Sequence, residues 1–140
     1  MPLGFNANVT IQKVNEEYYR TVGFLNYKNE EISVIVKGGF ITDGASVPKF
    51  LWRFIGSPFT GNYTSSSIIH DSLYGSHVTT KEVADSLFLE MLEVEGVSYW
   101  KRTLMYLGVS WFGQSSWDKS DEVIKQNEKL VEVEYANSIN

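Results

Sequence analysis

The residues of this sequence best suited to chemistry are a histidine and two aspartates on two predicted helices. His70 and Asp71 are neighbours, and Asp85 follows in the next helical segment. Tyr74 lies four residues after His70 and therefore shares its helix face. A histidine that contacts a carboxylate across two helices can act as a general base whose ring that carboxylate orients. The same residues can equally form a hydrogen-bonded polar network in a small core.

The predicted helix boundaries place His70 and Asp85 at similar heights. The helix that carries His70 is expected over residues 65–74, and the helix that carries Asp85 opens at the pair Thr79 and Thr80. If the connection is a tight reversal, the two helices are antiparallel neighbours. His70 then lies about 7 Å from the turn and Asp85 about 9 Å, at roughly 1.5 Å per residue. The sequence therefore predicts that the two side chains are close enough for contact.

A third carboxylate, Asp43, lies where the last predicted strand passes into the first helix. It is followed by Gly44 and Ser46. An aspartate in this setting is typical of a turn or a helix cap, and Ser46 is expected near the cap of the following helix. For Asp71 the corresponding structural interpretation is a solvated helix residue or a local cap partner.

The order of the segments predicts an α+β fold. Alternating and β-branched runs dominate before residue 44, which is typical of a small N-terminal antiparallel β meander. Helical patterns follow, and we expect a three- to five-helix bundle carrying an antiparallel helix pair. The chain is interpreted as a single domain over 1–140, mainly β over 1–43 and mainly α over 44–135, with a tail over 136–140. Residues 131–135, at the end of the last helical segment, are also compatible with a strand.

The helix predicted over residues 98–112 is apolar on most sides and is therefore expected at the centre of the bundle. Aromatic side chains are concentrated in this helix and just after it. Their most frequent role in such a helix is core packing, and the alternative is a lipid-binding or partner-binding surface. These residues are Tyr99, Trp100, Tyr106, Trp111, Phe112 and Trp117.

Composition argues against several classes of function. The chain has 140 residues and no cysteine, which excludes disulfides, zinc–thiolate sites and cysteine nucleophiles. A net charge of −5 argues against general nucleic-acid binding, which needs clustered Lys and Arg. No apolar run approaches the roughly 20 residues of a transmembrane segment, and no signal peptide is visible. A soluble protein made in the cytoplasm is therefore expected.

Two other catalytic arrangements fit the sequence poorly. A serine hydrolase built on residues 65–67 is disfavoured because Ser66 shares a helix with His70 and no G-x-S-x-G elbow exists. A zinc hydrolase is disfavoured because His77 lies in a loop without a partner motif such as H-E-x-x-H.

Three short motifs resemble those of one protein family. They are Thr42-Asp43-Gly44-Ala45-Ser46-Val47-Pro48, His70-Asp71-Ser72-Leu73-Tyr74 and Ala84-Asp85-Ser86-Leu87-Phe88. Together they are similar to the pattern T-D-x-A-S-V-P … H-D-x-L-Y … A-D-x-x-F of a domain-of-unknown-function family found in tailed bacteriophages and prophages. The resemblance covers about residues 39–117 and implies a phage origin without a settled activity.

A second resemblance is to the helical core of phospholipase A2 enzymes, and it rests on H-D-x-x-Y followed by a helix with an inward aspartate. By this resemblance His70 would be the base that activates a water, and Asp71 would be a calcium ligand. Asp85 would orient His70, and Tyr74 would support the pair by hydrogen bonding. The calcium loop of that family is absent here, so only Gly38-Gly39 or Asp43-Gly44 could supply substitute backbone carbonyls, and Asp43 is the further candidate metal ligand. Ca²⁺ in such a site would stabilise an ester oxyanion.

Two hypotheses from different classes follow. The first is a small phage hydrolase with a phospholipase-A2-like site, acting on lipid or cell-envelope esters with Ca²⁺ as its cofactor. The second is a non-enzymatic phage protein, either a virion component or a host-factor-binding protein, in which the His/Asp cluster is structural. In both, the protein is expected in the host cytoplasm when made, with incorporation in the virion as a further option. Its expected partners are other phage proteins or a host factor, and not nucleic acid.

Overall fold

Two antiparallel sheets lie at the N-terminal side of the fold. The computed structural model describes residues 4–44, 46–59, 62–119 and 128–136. The larger sheet contains, in hydrogen-bonded order, Gly4–Phe5 (β1), Leu25–Lys28 (β4), Ile32–Val36 (β5) and Val131–Tyr135 (β7). The smaller sheet contains, also in hydrogen-bonded order, Thr10–Lys13 (β2), Tyr19–Val22 (β3) and Ile41–Thr42 (β6).

The described residues also form five α-helices and two 3-10 turns. The helices are Trp52–Ile55 (α1), Thr64–Ser76 (α2), Lys81–Val94 (α3), Tyr99–Phe112 (α4) and Gln114–Asp118 (α5). The 3-10 turns are Lys49–Leu51, which leads directly into α1, and Glu128–Leu130, which leads into β7. The predicted α+β fold is therefore confirmed.

The core lies between the larger sheet and α2. In β4 and β5, buried residues alternate with more exposed ones, as the two-residue period of a strand requires. The buried positions are Leu25, Tyr27, Ile32, Val34 and Val36. They pack with Ile68, Ile69 and Leu73 of α2 in one cluster. Every residue of α2 from 65 to 74 is buried, which makes α2 the central helix.

The C-terminal strand completes the N-terminal sheet. In β7, Val133 lies opposite Val34 of β5 in an antiparallel register. The strand alternative for residues 131–135 is thus the one observed. The segment over 44–135 is mainly α but ends in a strand, and residues 120–127 lie outside the described residues.

The helices α2 and α3 form the predicted antiparallel pair. Hydrogen bonds join Ser66, near the start of α2, to Glu95 at the end of α3, and join His70 to Asp85 nearer the connection. Because residues earlier in α2 meet residues later in α3, the two helices run in opposite directions. The connection over residues 77–80 is therefore the tight reversal on which the predicted contact depends.

The predicted central position of α4 is wrong. Its buried residues are Met105, Gly108 and Val109, and this face packs on the rest of the molecule. Leu51 lies against Gly108 so closely that a Cβ there would overlap its side chain. The other residues of α4 are partly buried along its middle and exposed at its two ends. No helix among the described residues has the length and apolar character that crossing a bilayer requires.

The predicted core role is also wrong for most of the aromatic residues of α4. Four of them are largely exposed, and they occupy the first two and the last two positions of the helix. These four are Tyr99, Trp100, Trp111 and Phe112. The alternative of an interaction surface is thus the one that remains for them.

Candidate functional site

The predicted contact between His70 and Asp85 is present. His70 Nε2 lies 2.8 Å from Asp85 Oδ1, and His70 Nδ1 lies 3.0 Å from Ser46 Oγ. The His70 side chain has no exposed surface and stacks on Phe88 with ring centroids 4.4 Å apart. The imidazole therefore bridges α3 and the segment that follows β6.

Asp85 is the centre of the network. The Tyr74 hydroxyl donates to Asp85 Oδ1 at 2.7 Å, and the Lys81 ammonium donates to Asp85 Oδ2 at 2.8 Å. Lys81 also donates to the Val109 carbonyl of α4 at 3.0 Å. Tyr74 occupies the supporting position predicted for it, and the carboxylate ties α2, α3 and α4 together.

The protonation states of His70 and Asp85 follow from burial and hydrogen bonding. Burial lowers the pKa of His70 because it disfavours the cation, and the nearby Asp85 opposes this only in part. Burial alone would raise the pKa of Asp85, but hydrogen bonds from His70 and Lys81 outweigh it and hold that pKa below its ordinary value. At neutral pH a neutral imidazole therefore faces an ionised carboxylate. Assigned from these partners, the ring proton is on Nε2, and Nδ1 accepts the Ser46 hydroxyl proton.

Asp71 is buried and bonded to the strand-to-helix junction. The Thr42 hydroxyl donates to Asp71 Oδ2 at 2.6 Å, and the Ser46 amide donates to the same carboxyl group. Asp71 Oδ1 is buried and has no hydrogen-bond partner among the described residues. Burial, reinforced by the charge of Asp43, raises the pKa of Asp71 to about 8. Asp71 is therefore mainly protonated at neutral pH, and the interpretation as a solvated helix residue is wrong.

The two candidate metal ligands lie near each other, but they do not fit Ca²⁺. Asp43 Oδ2 lies 4.0 Å from the Lys119 ammonium, and Asp71 Oδ2 accepts the Thr42 hydroxyl. No group of three His, Cys, Asp or Glu side chains in the described ranges could hold a metal ion. Ca²⁺ takes about six to eight oxygen ligands, so a protonated and a lysine-paired carboxyl are a poor donor set. Calcium binding stays an untested prediction, and no step below passes through a metal.

The three sequence motifs converge on one place. Thr42 and Ser46 of the first motif contact the second motif, at Asp71 and His70 respectively. His70 in turn contacts Asp85 of the third motif. A strand end, a junction segment and two helices therefore supply one continuous chain of hydrogen bonds.

Two residues of this network are absent from the sequence-based prediction. Ser46, which the pattern places near a helix cap, instead directs its hydroxyl at His70. Its position inside the first motif is the signal that could have identified it. Lys81 precedes Asp85 by four residues, and this spacing on one helix is the corresponding signal for the ion pair.

The turn that delivers Ser46 to His70 depends on Gly44. Its φ is +73°, and a Cβ there would lie 2.8 Å from Cγ of Pro58. Gly23 has a similar φ of +77° with nothing within 4 Å of a Cβ. We expect Gly44→Ala to lower the free energy of unfolding by about 1–3 kcal/mol more than Gly23→Ala, because both variants carry the backbone cost and only the first is overpacked. Urea unfolding measures the difference, and equal losses would contradict the close contact.

The fold and the site define an α+β protein with a buried serine–histidine–aspartate network at a strand-to-helix junction. The chain belongs to the family described as "Protein of unknown function (DUF1353)", whose model matches residues 21–109. The predicted membership of a domain-of-unknown-function family is thus confirmed. The matched span contains every side chain of the network.

Two curated relatives come from Sinorhizobium fredii (strain NBRC 101917 / NGR234). The uncharacterized protein y4jT is 33% identical over 91 residues, which are 65% of this chain and 27% of the relative. The uncharacterized protein y4iH is 35% identical over 72 residues, which are 51% of this chain and 30% of the relative. The matched part of this chain therefore spans less than a third of either relative. No solved structure matches the chain.

Proposed function

We propose that the chain is a small hydrolase that cleaves an ester through Ser46, with His70 as the general base and Asp85 as the residue that orients it. The observation that carries the proposal is the pair of contacts on one imidazole. Ser46 Oγ lies 3.0 Å from Nδ1, and Asp85 Oδ1 lies 2.8 Å from Nε2. This is the connectivity of a nucleophile, a base and an orienting acid. It differs from the phospholipase A2 resemblance in giving His70 a serine hydroxyl in place of a water.

The proposed reaction has two stages. Ser46 Oγ attacks the ester carbonyl carbon while its proton passes to His70 Nδ1. The imidazolium, stabilised by Asp85 through the Nε2 proton, then protonates the leaving alkoxide, and an acyl-serine remains. Water attacks the acyl carbon with His70 again taking a proton, and the carboxylic acid leaves as the serine is regenerated.

The protonated Asp71 supplies a hydrogen bond to the developing oxyanion. Its carboxyl group accepts the Ser46 amide hydrogen and so lies beside the nucleophile. Asp71 Oδ1 has no partner in the described part of the chain. A carboxylic acid kept neutral by burial can donate to an oxyanion, and this stabilisation needs no metal.

The test is covalent labelling of the purified chain with a fluorophosphonate, which reacts with activated serines, followed by peptide mass spectrometry. We expect the label on Ser46 in the wild-type chain and none on this peptide in Ser46→Ala. His70→Gln is expected to label at least roughly a hundredfold more slowly, because a general base contributes about 10²–10⁴-fold. Ser72→Ala is the matched control, since Ser72 is a buried serine of α2 whose hydroxyl donates to the Ile69 carbonyl.

A second variant keeps the test decisive if the alanine substitution unfolds the chain. The chain has no cysteine, so Ser46→Cys introduces a single thiol. Iodoacetamide is expected to alkylate this thiol faster than the thiol of Ser72→Cys, because His70 takes its proton. A folded wild-type chain that takes no label, or takes it at another residue, would overturn the proposal. Circular dichroism checks that each variant is folded.

A second candidate function is favoured by the burial of the same residues. The His70 side chain has no exposed surface, and Ser46 is 6% exposed. Both ring nitrogens and both Asp85 oxygens have partners, which is how a structural polar network is satisfied. The chain is then a non-enzymatic virion component or host-factor-binding protein whose network holds the strand-to-helix junction. Unfolding of the Ser46→Ala and His70→Gln variants, together with an unlabelled wild-type chain, selects this candidate.

The phage assignment belongs to the same proposal and rests on the resemblance of the three motifs. Under this assignment the protein is made in the host cytoplasm and works with other phage proteins or a host factor. Peptide mass spectrometry of purified particles and of infected cells separates the two roles. A virion component is found in the particles in fixed proportion to the other structural proteins, whereas an infection-associated protein is found in the cells alone.

A further inference from the structure

Six large aromatic side chains are exposed on adjoining elements of the fold. They are Phe50 (56% exposed) and Phe54 (64%) in the 3-10 turn and α1, with Tyr99 (72%), Trp100 (58%), Trp111 (70%) and Phe112 (58%) in α4. Single exposed aromatic residues are ordinary in soluble proteins. Six on neighbouring elements form an apolar patch of the kind that marks an interaction site. We call these six residues the aromatic patch.

One ring contact joins the two elements that carry the aromatic patch. The rings of Phe50 and Phe112 meet edge to face with their centroids 5.5 Å apart. Within α4, Trp100 and Trp111 are separated by eleven residues, which is close to three turns of helix. The two indoles therefore project from the same outward face.

The two segments that contain the aromatic patch are basic, although the net charge of the chain is −5. Residues 44–59 and 96–113, which contain the patch, have no Asp or Glu. Their cations are Lys49, Arg53, Lys101 and Arg102. The Lys101 ammonium lies 5.7 Å from the centroid of the Trp100 ring. The Arg102 guanidinium lies 5.2 Å from the centroid of the Tyr99 ring, so two cations lie against exposed rings of the patch. Lys49 instead borders a pocket that Glu16, Glu17 and Asp43 also line.

We propose that the aromatic patch docks the protein on the surface of a lipid bilayer that carries anionic headgroups. Trp and Tyr rings are favoured at the boundary between headgroups and hydrocarbon. Each Lys or Arg near an anionic bilayer strengthens binding by roughly fivefold. A second copy of this chain would bring the same cations against the patch, whereas an anionic bilayer complements them. The docking uses neither Ser46 nor His70, so it stands apart from the proposed hydrolysis.

The test compares vesicles of phosphatidylcholine alone with vesicles that also contain about a third of phosphatidylglycerol, an anionic lipid. Sedimentation of the vesicles gives the partition coefficient, and a blue shift of tryptophan emission reports insertion of the rings. We expect the wild-type chain to bind the anionic vesicles at least roughly tenfold more strongly, and added salt to weaken this binding. Trp100→Ala combined with Trp111→Ala should reduce binding roughly tenfold or more, because two large apolar side chains no longer leave water. Arg53→Gln combined with Lys101→Gln should reduce it roughly 25-fold.

Matched controls lie outside the aromatic patch. Phe24→Ala removes a ring that is 64% exposed between β3 and β4, and Lys13→Gln removes an exposed cation of β2. Neither substitution should change binding. The proposal is overturned if the folded wild-type chain does not bind the anionic vesicles, or binds both kinds equally. It is also overturned if the chain forms a dimer that the two tryptophan substitutions abolish, because a second copy then occupies the patch.

Discussion

Asp85→Asn is expected to lower the free energy of unfolding by about 3–5 kcal/mol. The carboxylate accepts hydrogen bonds from His70, Tyr74 and Lys81, and a neutral amide would turn its NH₂ group toward at least one of these donors. The Lys81 side chain is 11% exposed and would lose the carboxylate that it pairs with. Removing one member of a buried pair leaves the other uncompensated, which is why the loss is large. Urea unfolding at neutral pH measures it.

Glu93→Gln is the control for this prediction, because it makes the same acid-to-amide change on the exposed surface of α3. It is expected to cost less than about 0.5 kcal/mol. The double variant Asp85→Asn/Lys81→Met should lower the free energy of unfolding by clearly less than the sum of the losses in the two single variants. The reason is that the second substitution removes the unpaired cation. Additive losses, or a loss for Asp85→Asn as small as that of the control, would contradict the network.

The contact between His70 and Asp85 could be predicted because it depends on local quantities. The rise per residue of a helix and the length of the connection fix the heights of both side chains. The observed α2 extends to Ser76, two residues beyond the predicted end, and this shift is too small to separate the pair. Strand β5 was predictable from the run over residues 31–36 for the same reason, since alternation between buried and exposed positions is a property of a single strand.

The contact of Ser46 with His70 could not be predicted in the same way. The two residues are 24 positions apart, and their distance depends on how the chain folds back after β6. No periodicity reports the path between them, because it passes through the 3-10 turn and α1 before α2 begins. The pairing of β7 with β5 is a similar case, since it joins segments from opposite ends of the chain.

The prediction put α4 at the centre of the bundle, where the structure has α2, and the reason is physical. An all-round apolar pattern favours a central helix, yet the central helix is α2, which is rich in polar residues. Its polar groups are satisfied inside the protein, as with the hydroxyl of Ser72 on the Ile69 carbonyl and the imidazole of His70 on Asp85. A hydropathy pattern predicts such polar residues at the surface, because it contains no information on their hydrogen-bond partners. The four aromatic residues at the ends of α4 are left exposed and form part of the aromatic patch.

Asp71→Asn is expected to gain stability relative to the wild-type chain as the pH rises from 5 to about 9, by a few kcal/mol in total. Burial raises the pKa of the Asp71 carboxyl from 3.8 to about 8 in the folded protein. Between these values the folded state holds a proton that the unfolded state has released. The contribution of Asp71 to stability is therefore complete below the unfolded pKa, falls as the pH rises, and is lost above the folded pKa. Asparagine has no such proton, and its amide oxygen can still accept the Thr42 hydroxyl.

The difference in the free energy of unfolding between the wild-type chain and Asp71→Asn isolates the effect of Asp71 from those of the other titrating groups. The lowered pKa of His70 makes stability fall on the acid side, as the unfolded chain takes up a proton there, but this loss is common to both proteins and cancels. Urea unfolding at pH 5, 7 and about 9 gives the difference directly. Asp118→Asn is the control, because it makes the same substitution on the exposed surface of α5. A difference for Asp71→Asn that stays constant with pH would mean that the carboxyl is already ionised, and it would remove the proton donor from the proposed site.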